Sequence, residues 1–347
     1  MKHTFRPFSR RDFIRFAGLS LLGIGIEPIL SACRRVSAKE EVAEPMTTVV
    51  QKVEPAVTKL SPTEPFSPTS ETASLNTTEV VPHQSSRDNQ RLSLIEKYGP
   101  ATKALALEFH GDLYWFFDGN YTMDTDTFSW LMHWFQENEV WSANDKELLG
   151  FLDGTLQLPS RSVILTTDSG RSSVNSIKRM IPILQDTGMH FISFIWTMQM
   201  EPYETAACPD NLCWKQFQQA QESGVFSFGT HSEYHLPLAE YDQEFGFEDL
   251  SQSIQEIENN IGVTPQLLSW PLESCPLWGS SIAELGIKAA FGGPSRPFEQ
   301  CSVYAQDPLP YCLPRLLPPN RQNRLSPRPA GMSIDELAAN YMDGFGR

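Results

Sequence analysis

Residues 226–238 read FSFGTHSEYHLPL, and this stretch combines an apolar alternating run with two histidines four residues apart. Two imidazoles at that spacing, here His231 and His235, can face one metal ion if the segment turns as a helix or a tight turn. Upstream, residues 163–170 (VILTTDSG) are typical of a buried strand that ends near Asp168. We therefore expect the two strand ends to meet at one metal or proton-transfer site.

The segments around these two stretches alternate between strand and helix patterns. Gly188 and Gly262 each follow a helical pattern directly, as is typical of helix C-caps. Such alternation predicts a parallel sheet covered by helices, and the absence of a phosphate-binding glycine loop favours a barrel over an open doubly wound sheet. In barrels, functional groups gather at the carboxyl ends of strands. The predicted strands are residues 104–109, 163–167, 190–197, 226–229, 266–270, 288–292 and 311–317, and His110, Asp168, His231 and Pro271 each follow one at or near its end.

The N-terminus carries an export pattern. Residues 9–14 (SRRDFI) form a twin-arginine motif, and a short apolar stretch follows at residues 16–30. It ends in LSAC, which resembles a lipobox with Cys33 as the lipidated residue. We expect residues 1–33 to be a lipoprotein signal peptide and the protein to be extracytoplasmic, attached to a bacterial membrane and exported by the twin-arginine route. An uncleaved membrane anchor is the alternative.

The remaining regions follow from composition. Residues 34–95 are rich in Pro, Ser, Thr and Glu, which predicts a disordered linker. Residues 96–320 form the predicted folded domain, and residues 321–347 a loose tail. The chain has a net charge of −15 at pH 7, which argues against a nucleic-acid partner.

The cysteines are compatible with an oxidising compartment. Cys208 and Cys213 lie in one loop, and Cys301 and Cys312 flank another. Each pair could form a disulfide, which would leave Cys275 free. A zinc site is the alternative for the first pair.

The ordered motifs resemble the polysaccharide deacetylase family, also called the NodB-homology family or carbohydrate esterase family 4. The resemblance covers roughly residues 104–317 and implies a distorted TIM-like (β/α) barrel of about seven strands. The residues that carry it are Thr166-Thr167-Asp168-Ser169-Gly170 for T-F-D-D-G, His231-Ser232-Glu233-Tyr234-His235 for H-[ST]-x-x-H, Trp270-Pro271, residues 289–293, Leu313-Pro314-Arg315 and, as in permuted members, Phe109-His110.

The resemblance implies a metal-dependent hydrolase that removes N-acetyl or O-acetyl groups from a cell-surface or extracellular polysaccharide. It implies Asp168 as base and His110 as acid. It also implies a divalent metal on His231 and His235, zinc by expectation, with nickel or cobalt as alternatives. Substrate contacts are expected from Tyr234, Trp270, Pro271 and Arg315.

Ser169 departs from the family motif, because it stands where a metal-binding Asp is expected. Ser169 is the candidate metal ligand at that position, but its hydroxyl is a poorer ligand for a dication than a carboxylate. Asp168 could bind the metal itself, with another group as base. A carboxylate could come instead from Glu108, Asp112 or Glu273. The third alternative is a catalytically silent, lipid-anchored barrel that binds glycan or a protein partner.

Overall fold

The computed structural model describes residues 82–110, 123–170, 173–200, 212–292, 302–316 and 318. The predicted signal peptide with Cys33, most of the predicted linker and the predicted tail lie outside these residues. Within the described residues, no helix is both long and apolar enough to cross a bilayer.

The described elements alternate between strands and helices, as the sequence predicts. The strands are β1 (Lys103–His110), β2 (Trp141–Ser142), β3 (Ser162–Ser169), β4 (Phe191–Ile195), β5 (Phe226–Thr230), β6 (Leu267–Ser269), β7 (Ala289–Phe291) and β8 (Val303–Tyr304). The α-helices are α1 (Pro82–Tyr98), α2 (Thr125–Glu137), α3 (Asp145–Asp153), α4 (Val174–Thr187), α5 (Leu212–Glu222) and α6 (Gln243–Ile261). Short 3₁₀ helices cover Thr197–Met200, Leu238–Glu240, Pro271–Glu273 and Gly279–Leu285.

The strands form one curled sheet in the order β7-β6-β5-β4-β3-β1-β8, with β2 beside the start of β3. All pairs are parallel except β1 with β8. Residues 313–316 lie between the two sides of this sheet: Leu313 bridges Phe291 of β7, and Leu316 bridges Leu107 of β1. Because this segment links β7 to β1, the sheet curls into a distorted barrel, which confirms the predicted fold class.

Alternation along the strands separates an outer face from the barrel interior. On β1, Leu105 and Leu107 pack outward against the helices, whereas Ala104 and Ala106 point inward. The interior leaves little room: a Cβ on Gly229 of β5 would lie 2.5 Å from the ring of Phe194. The same alternation directs the polar residues at the ends of β1 and β3 into the mouth of the barrel.

Helix termini follow the local sequence signals. Asn144 accepts a hydrogen bond from the Glu147 backbone N–H while the Glu147 side chain accepts from the Asn144 N–H, which forms a capping box at the start of α3. Gly188 and Gly262 end α4 and α6 in the left-handed conformation, with φ of 68° and 82°. The predicted stop signals at these two glycines are therefore confirmed.

The predicted linker is wrong in its last part, because residues 82–95 belong to α1. Arg87 donates two hydrogen bonds to Glu147, at 3.0 and 2.7 Å, and Arg91 donates to the carbonyl of Gln157 at 2.7 Å. These partners lie 60 and 66 positions away along the chain. Local composition therefore gave no indication that α1 is attached to the barrel.

The disulfide prediction is also corrected. Cys312 bonds to Cys275, so Cys275 is not free and Cys312 is not paired with Cys301. A Cβ on Gly292 would lie 2.2 Å from Cys275 Sγ and 3.0 Å from Cys312 Sγ, so glycine is required beside this bond. The bond joins the loop after β6 to the residues that precede the closing segment.

Cys213 is disulfide-bonded as well, to a residue outside the described part of the chain. Cys208 and Cys301 both lie outside it, so the pairing of Cys208 with Cys213 stays a prediction.

Candidate active site

Four strand ends meet at the carboxyl mouth of the barrel. His110 at the end of β1 is in register with Asp168 of β3. Ser269 ends β6, and His231 directly follows β5. Because the strands are parallel, these side chains gather at one edge, as the sequence predicts.

Arg315 clamps Asp168 at the centre of this group. Its Nη1 donates to Asp168 Oδ1 at 2.8 Å, and its Nη2 donates to Asp168 Oδ2 at 2.9 Å. The Nη2 also donates to Ser269 Oγ at 2.9 Å. The guanidinium is thus held in a two-point contact with the carboxylate, a geometry that only arginine provides.

Glu108 also contacts the guanidinium. Its Oε1 accepts from Arg315 Nη2 at 2.7 Å and lies 3.8 Å from His110 Nε2. Potential ligand atoms of Glu108, His110 and Asp168 lie within 4.8 Å of one another. However, Arg315 already supplies the positive charge between the two carboxylates.

His231 and His235 occupy a tight loop between β5 and α6. His231 Nδ1 lies 2.8 Å from the carbonyl oxygen of Ser269, which can only accept, so Nδ1 carries the proton. Its Nε2 therefore presents a lone pair, 3.6 Å from Asp168 Oδ2. The ring of His235 stacks on Trp196 with centroids 4.4 Å apart and meets His231 edge-on at 4.7 Å.

The loop that carries the two histidines is held from α6. Asp249 accepts hydrogen bonds from the backbone N–H groups of Glu233 and Tyr234, at 3.0 and 2.8 Å. Ser232 and His235 both have positive φ, 64° and 55°, a conformation that non-glycine residues rarely adopt. Strain of this kind persists where the surrounding structure enforces it, commonly at functional sites.

Burial and the neighbouring charges set the protonation states. Burial would raise the pKa of Asp168, but Arg315 and then His231 outweigh it and hold that pKa below its usual value. Burial raises the pKa of Glu108. Burial lowers the pKa of His231, and burial together with His231 lowers that of His235 to about 4. Both imidazoles are therefore neutral at pH 7, the form that binds metal ions.

These groups suit a divalent ion. Two ligands of one tetrahedral zinc ion are roughly 3.4 Å apart, and the 3.6 Å between His231 Nε2 and Asp168 Oδ2 is close to that spacing. The hydrogen bond from His231 Nδ1 to a carbonyl is also the usual support for a metal-binding imidazole. Neutral imidazoles and a carboxylate are donor types that suit zinc, nickel or cobalt. Among the described residues, the group whose potential ligand atoms all lie within 4.8 Å of one another is Glu108, His110 and Asp168.

The predicted site residues occupy different environments. Ser169 Oγ accepts from Ser193 Oγ at 2.9 Å, between β3 and β4. Tyr234 is half-buried beside His235. Trp270 is completely buried and Pro271 is buried, so neither ring is open to stacking on a sugar, and a substrate contact by these residues stays a prediction. Arg315 is likewise buried and holds Asp168 rather than substrate.

Three contributors were not among the predicted site residues: Ser269, Trp196 and Asp249. Ser269 had a detectable signal, because it is a polar residue at the end of a buried strand pattern, directly before the Trp-Pro pair. No sequence signal marked Trp196 or Asp249, since their partners come from other parts of the chain.

Comparison with known proteins agrees with this geometry. Residues 156–284 match the sequence profile described as polysaccharide deacetylase. No curated protein sequence matches the chain significantly.

Solved structures show the same fold. The Streptococcus pyogenes deacetylase PplD in complex with acetate aligns with a TM-score of 0.56 at 17% identity, over 71% of this chain and 100% of that one. A polysaccharide deacetylase from Bacillus cereus gives 0.54 at 14% identity, over 70% and 69%. A de-N-acetylase from Aggregatibacter actinomycetemcomitans gives 0.50 at 17% identity, over 62% and 94%.

The resemblance that the sequence motifs predict is thus confirmed: residues 156–284 match the polysaccharide deacetylase profile, and the described barrel has the fold of solved deacetylases.

Proposed function

We propose that this domain removes acetyl groups from an acetylated polysaccharide by metal-assisted hydrolysis. The observation that carries the proposal is the approach of His231 Nε2 to within 3.6 Å of Asp168 Oδ2 at the mouth of a deacetylase-type barrel. The names of the structural relatives support the substrate class, because all three are deacetylases.

In the proposed site, His231, His235 and Asp168 hold the metal. When bound, a divalent ion polarises the acetyl carbonyl and lowers the pKa of a bound water. Asp168 takes the position of the missing family carboxylate, because the Ser169 hydroxyl is already hydrogen-bonded to Ser193. This assignment replaces the base role that the resemblance implies for Asp168, since Arg315 holds the pKa of Asp168 below its usual value and so makes it a weak base.

Proton movement is assigned to His110. A ligand atom of its ring lies within 4.8 Å of Asp168 and Glu108, and its side chain is 38% exposed, so the ring can meet substrate. We propose that one ring nitrogen of His110 takes a proton from the attacking water and returns it to the departing amine. Both transfers are then made by one group that faces the substrate.

Release of acetate from N-acetylglucosamine oligomers tests the proposal. The full-length chain, loaded in turn with zinc, nickel and cobalt, should release acetate, whereas His231→Ala should release none. His133→Ala is the matched control, because His133 is a half-exposed histidine on α2, 3.2 Å from Asp186 and unconnected to the barrel mouth. Its activity should equal that of the wild type.

The replacement at Ser169 favours a second candidate, a silent barrel that only binds glycan. Retention of the wild-type chain by N-acetylglucosamine polymer, without acetate release under any of the three metals, would support that candidate and overturn the enzyme.

We further propose export as a lipoprotein, supported by the twin-arginine motif at residues 9–14 and by LSAC ending at Cys33. Labelled fatty acid should be incorporated into the chain in a bacterial host and lost in Cys33→Ala. Equal labelling of both proteins would contradict the assignment.

A further inference from the structure

Glu108 is a buried acidic residue that none of the family motifs contains. Its side chain is 5% exposed, and it lies two residues before His110 on β1. Side chains of this kind are rarely buried without a partner, because desolvation of a carboxyl group is costly. Its partner is Arg315, which lies 207 positions away along the chain.

Glu108 holds the closing segment at two points. Its backbone N–H donates to the carbonyl of Leu316 at 2.8 Å, and its side-chain Oε1 accepts from Arg315 Nη2 at 2.7 Å. One residue of β1 therefore fixes both the backbone and the guanidinium of consecutive residues in the segment that closes the barrel.

The guanidinium needs such a contact to stay in place. Arg315 enters from residues 313–316, which have only isolated bridges to their neighbours. The Arg315 side chain has several rotatable bonds, so holding the guanidinium in one conformation costs conformational entropy that its contacts must offset. Glu108 adds a further contact to the guanidinium, from the neighbouring strand β1.

Glu108 also lies between His110, the proposed proton carrier, and Asp168, a proposed metal ligand. A chain of contacts runs from His110 Nε2 to Glu108 Oε1 at 3.8 Å, then to Arg315 at 2.7 Å and on to Asp168 at 2.9 Å. His231 follows at 3.6 Å from Asp168.

We propose that Glu108 is a positioning residue that fixes Arg315 and, through it, the carboxylate of Asp168 beside His231. This inference rests on the proposed function, because it concerns the same site. The competing interpretation is that Glu108 is itself a metal ligand, since its oxygen belongs to the group with His110 and Asp168.

Two variants separate these interpretations. Glu108→Gln keeps an oxygen that can accept from Arg315, whereas Glu108→Ala removes it. We expect Glu108→Ala to lower kcat by about 10- to 100-fold, the usual effect of losing an outer partner of a metal site. KM should change little. Glu108→Gln should restore most of the lost kcat, and both variants should bind zinc.

The matched control is Glu147→Ala, since Glu147 is also a buried glutamate paired with an arginine, Arg87, at 2.7 Å. It should lower the melting temperature without changing kcat. A fall in kcat comparable to that of Glu108→Ala would show that loss of any buried ion pair disturbs the site, and would overturn the specific role of Glu108.

Crystal structures of both Glu108 variants give a readout that does not depend on activity. In Glu108→Ala the Arg315 guanidinium should leave its two-point contact with Asp168, and in Glu108→Gln it should keep it. An unmoved Arg315 in Glu108→Ala overturns the inference. Equal loss of zinc in both variants would overturn it in favour of a ligand role. Absence of acetate release from the wild type, with Arg315 displaced as expected, would reject the proposed function alone.

Discussion

The two ends of the barrel strands both contain buried histidines near acids, yet they are built differently. At the amino end, His190 Nε2 lies 2.7 Å from Ser227 Oγ, which donates to Asp145 at 2.7 Å. At the carboxyl end, the imidazole-to-carboxylate distances are 3.6 and 3.8 Å, too long for hydrogen bonds. The amino-end cluster is Ser142, Asp145, His190 and Ser227, and the carboxyl-end cluster is Glu108, His110, Asp168, His231 and Arg315.

This difference indicates that the amino-end cluster stabilises the fold, whereas the carboxyl-end cluster is arranged to bind a ligand. Short contacts at the amino end use the hydrogen-bonding atoms of His190 within the protein. At the carboxyl end, the lone pair of His231 Nε2 is not hydrogen-bonded to Asp168 Oδ2, 3.6 Å away, so it can bind a ligand. Four of the non-glycine residues with positive φ lie in the segments that follow β5 and β6 at the carboxyl end: Ser232, His235, Leu272 and Glu273.

The largest expected effect comes from the arginines at the two ends. Arg315→Met leaves Asp168 and Glu108 without a buried partner, so we expect a loss of about 3–5 kcal/mol in the free energy of unfolding, as for other broken buried pairs. Acetate release should also be lost. Urea unfolding and the acetate assay measure the two effects.

Arg87→Met is the amino-end control, because Arg87 pairs with the buried Glu147 at 2.7 Å while its own side chain is 21% exposed. It should lower stability by a smaller amount and leave acetate release unchanged. Equal loss of activity in both variants would remove the distinction between the two ends.

The second largest effect is expected from removing the disulfide at the carboxyl end. Cys275 and Cys312 are 37 positions apart, and a loop of that length predicts a stabilisation of about 4 kcal/mol. The double variant Cys275→Ser/Cys312→Ser should unfold at lower urea concentration by that amount. Peptide mapping without reductant should recover Cys312 bonded to Cys275, whereas a peptide that joins Cys312 to Cys301 would contradict the structure.

A pH-dependent effect is expected at the amino end. Burial, and then the charge of Arg87, lower the pKa of His190 to about 3. His190 therefore binds a proton near pH 6.5 in the unfolded chain but only near pH 3 in the folded chain. The free energy of unfolding consequently falls as pH decreases from about 6.5 to about 3. Between pH 7 and pH 4 the wild type should lose about 3 kcal/mol more than His190→Gln. Urea unfolding at both pH values measures this, and parallel pH profiles would contradict the role of burial.

Much of the barrel could be predicted from the sequence because its signals are local. Apolar patterns located β1 and β3 to β7, and the glycines after α4 and α6 marked helix ends. The two-residue strands β2 and β8 were not predicted, and the predicted strand at residues 311–317 makes only isolated bridges. The convergence of Asp168 and His231 also followed locally, since strand ends in a parallel sheet share one edge.

The parts that sequence did not reveal depend on long-range side-chain pairs. Arg315 was expected to contact substrate. Its pairing with Asp168 and Glu108 could not be predicted, because these partners are 147 and 207 positions away along the chain. Trp270 was expected to contact substrate, and the sequence did not reveal that its Nε1 donates to the carbonyl of Tyr311 inside the fold. Cys275 was expected to be free. Its bond to Cys312 could not be predicted, because the loop after β6 meets the closing segment only in the folded chain.

Calorimetric titration of the metal-free full-length chain with zinc tests the carboxyl-end site most directly. The wild type and His190→Gln should each bind one zinc ion with the same affinity, because His190 lies at the amino end of the strands. His231→Ala and His235→Ala should each lose that binding. Equal zinc affinity in His231→Ala and the wild type would contradict a metal site at the mouth of the barrel.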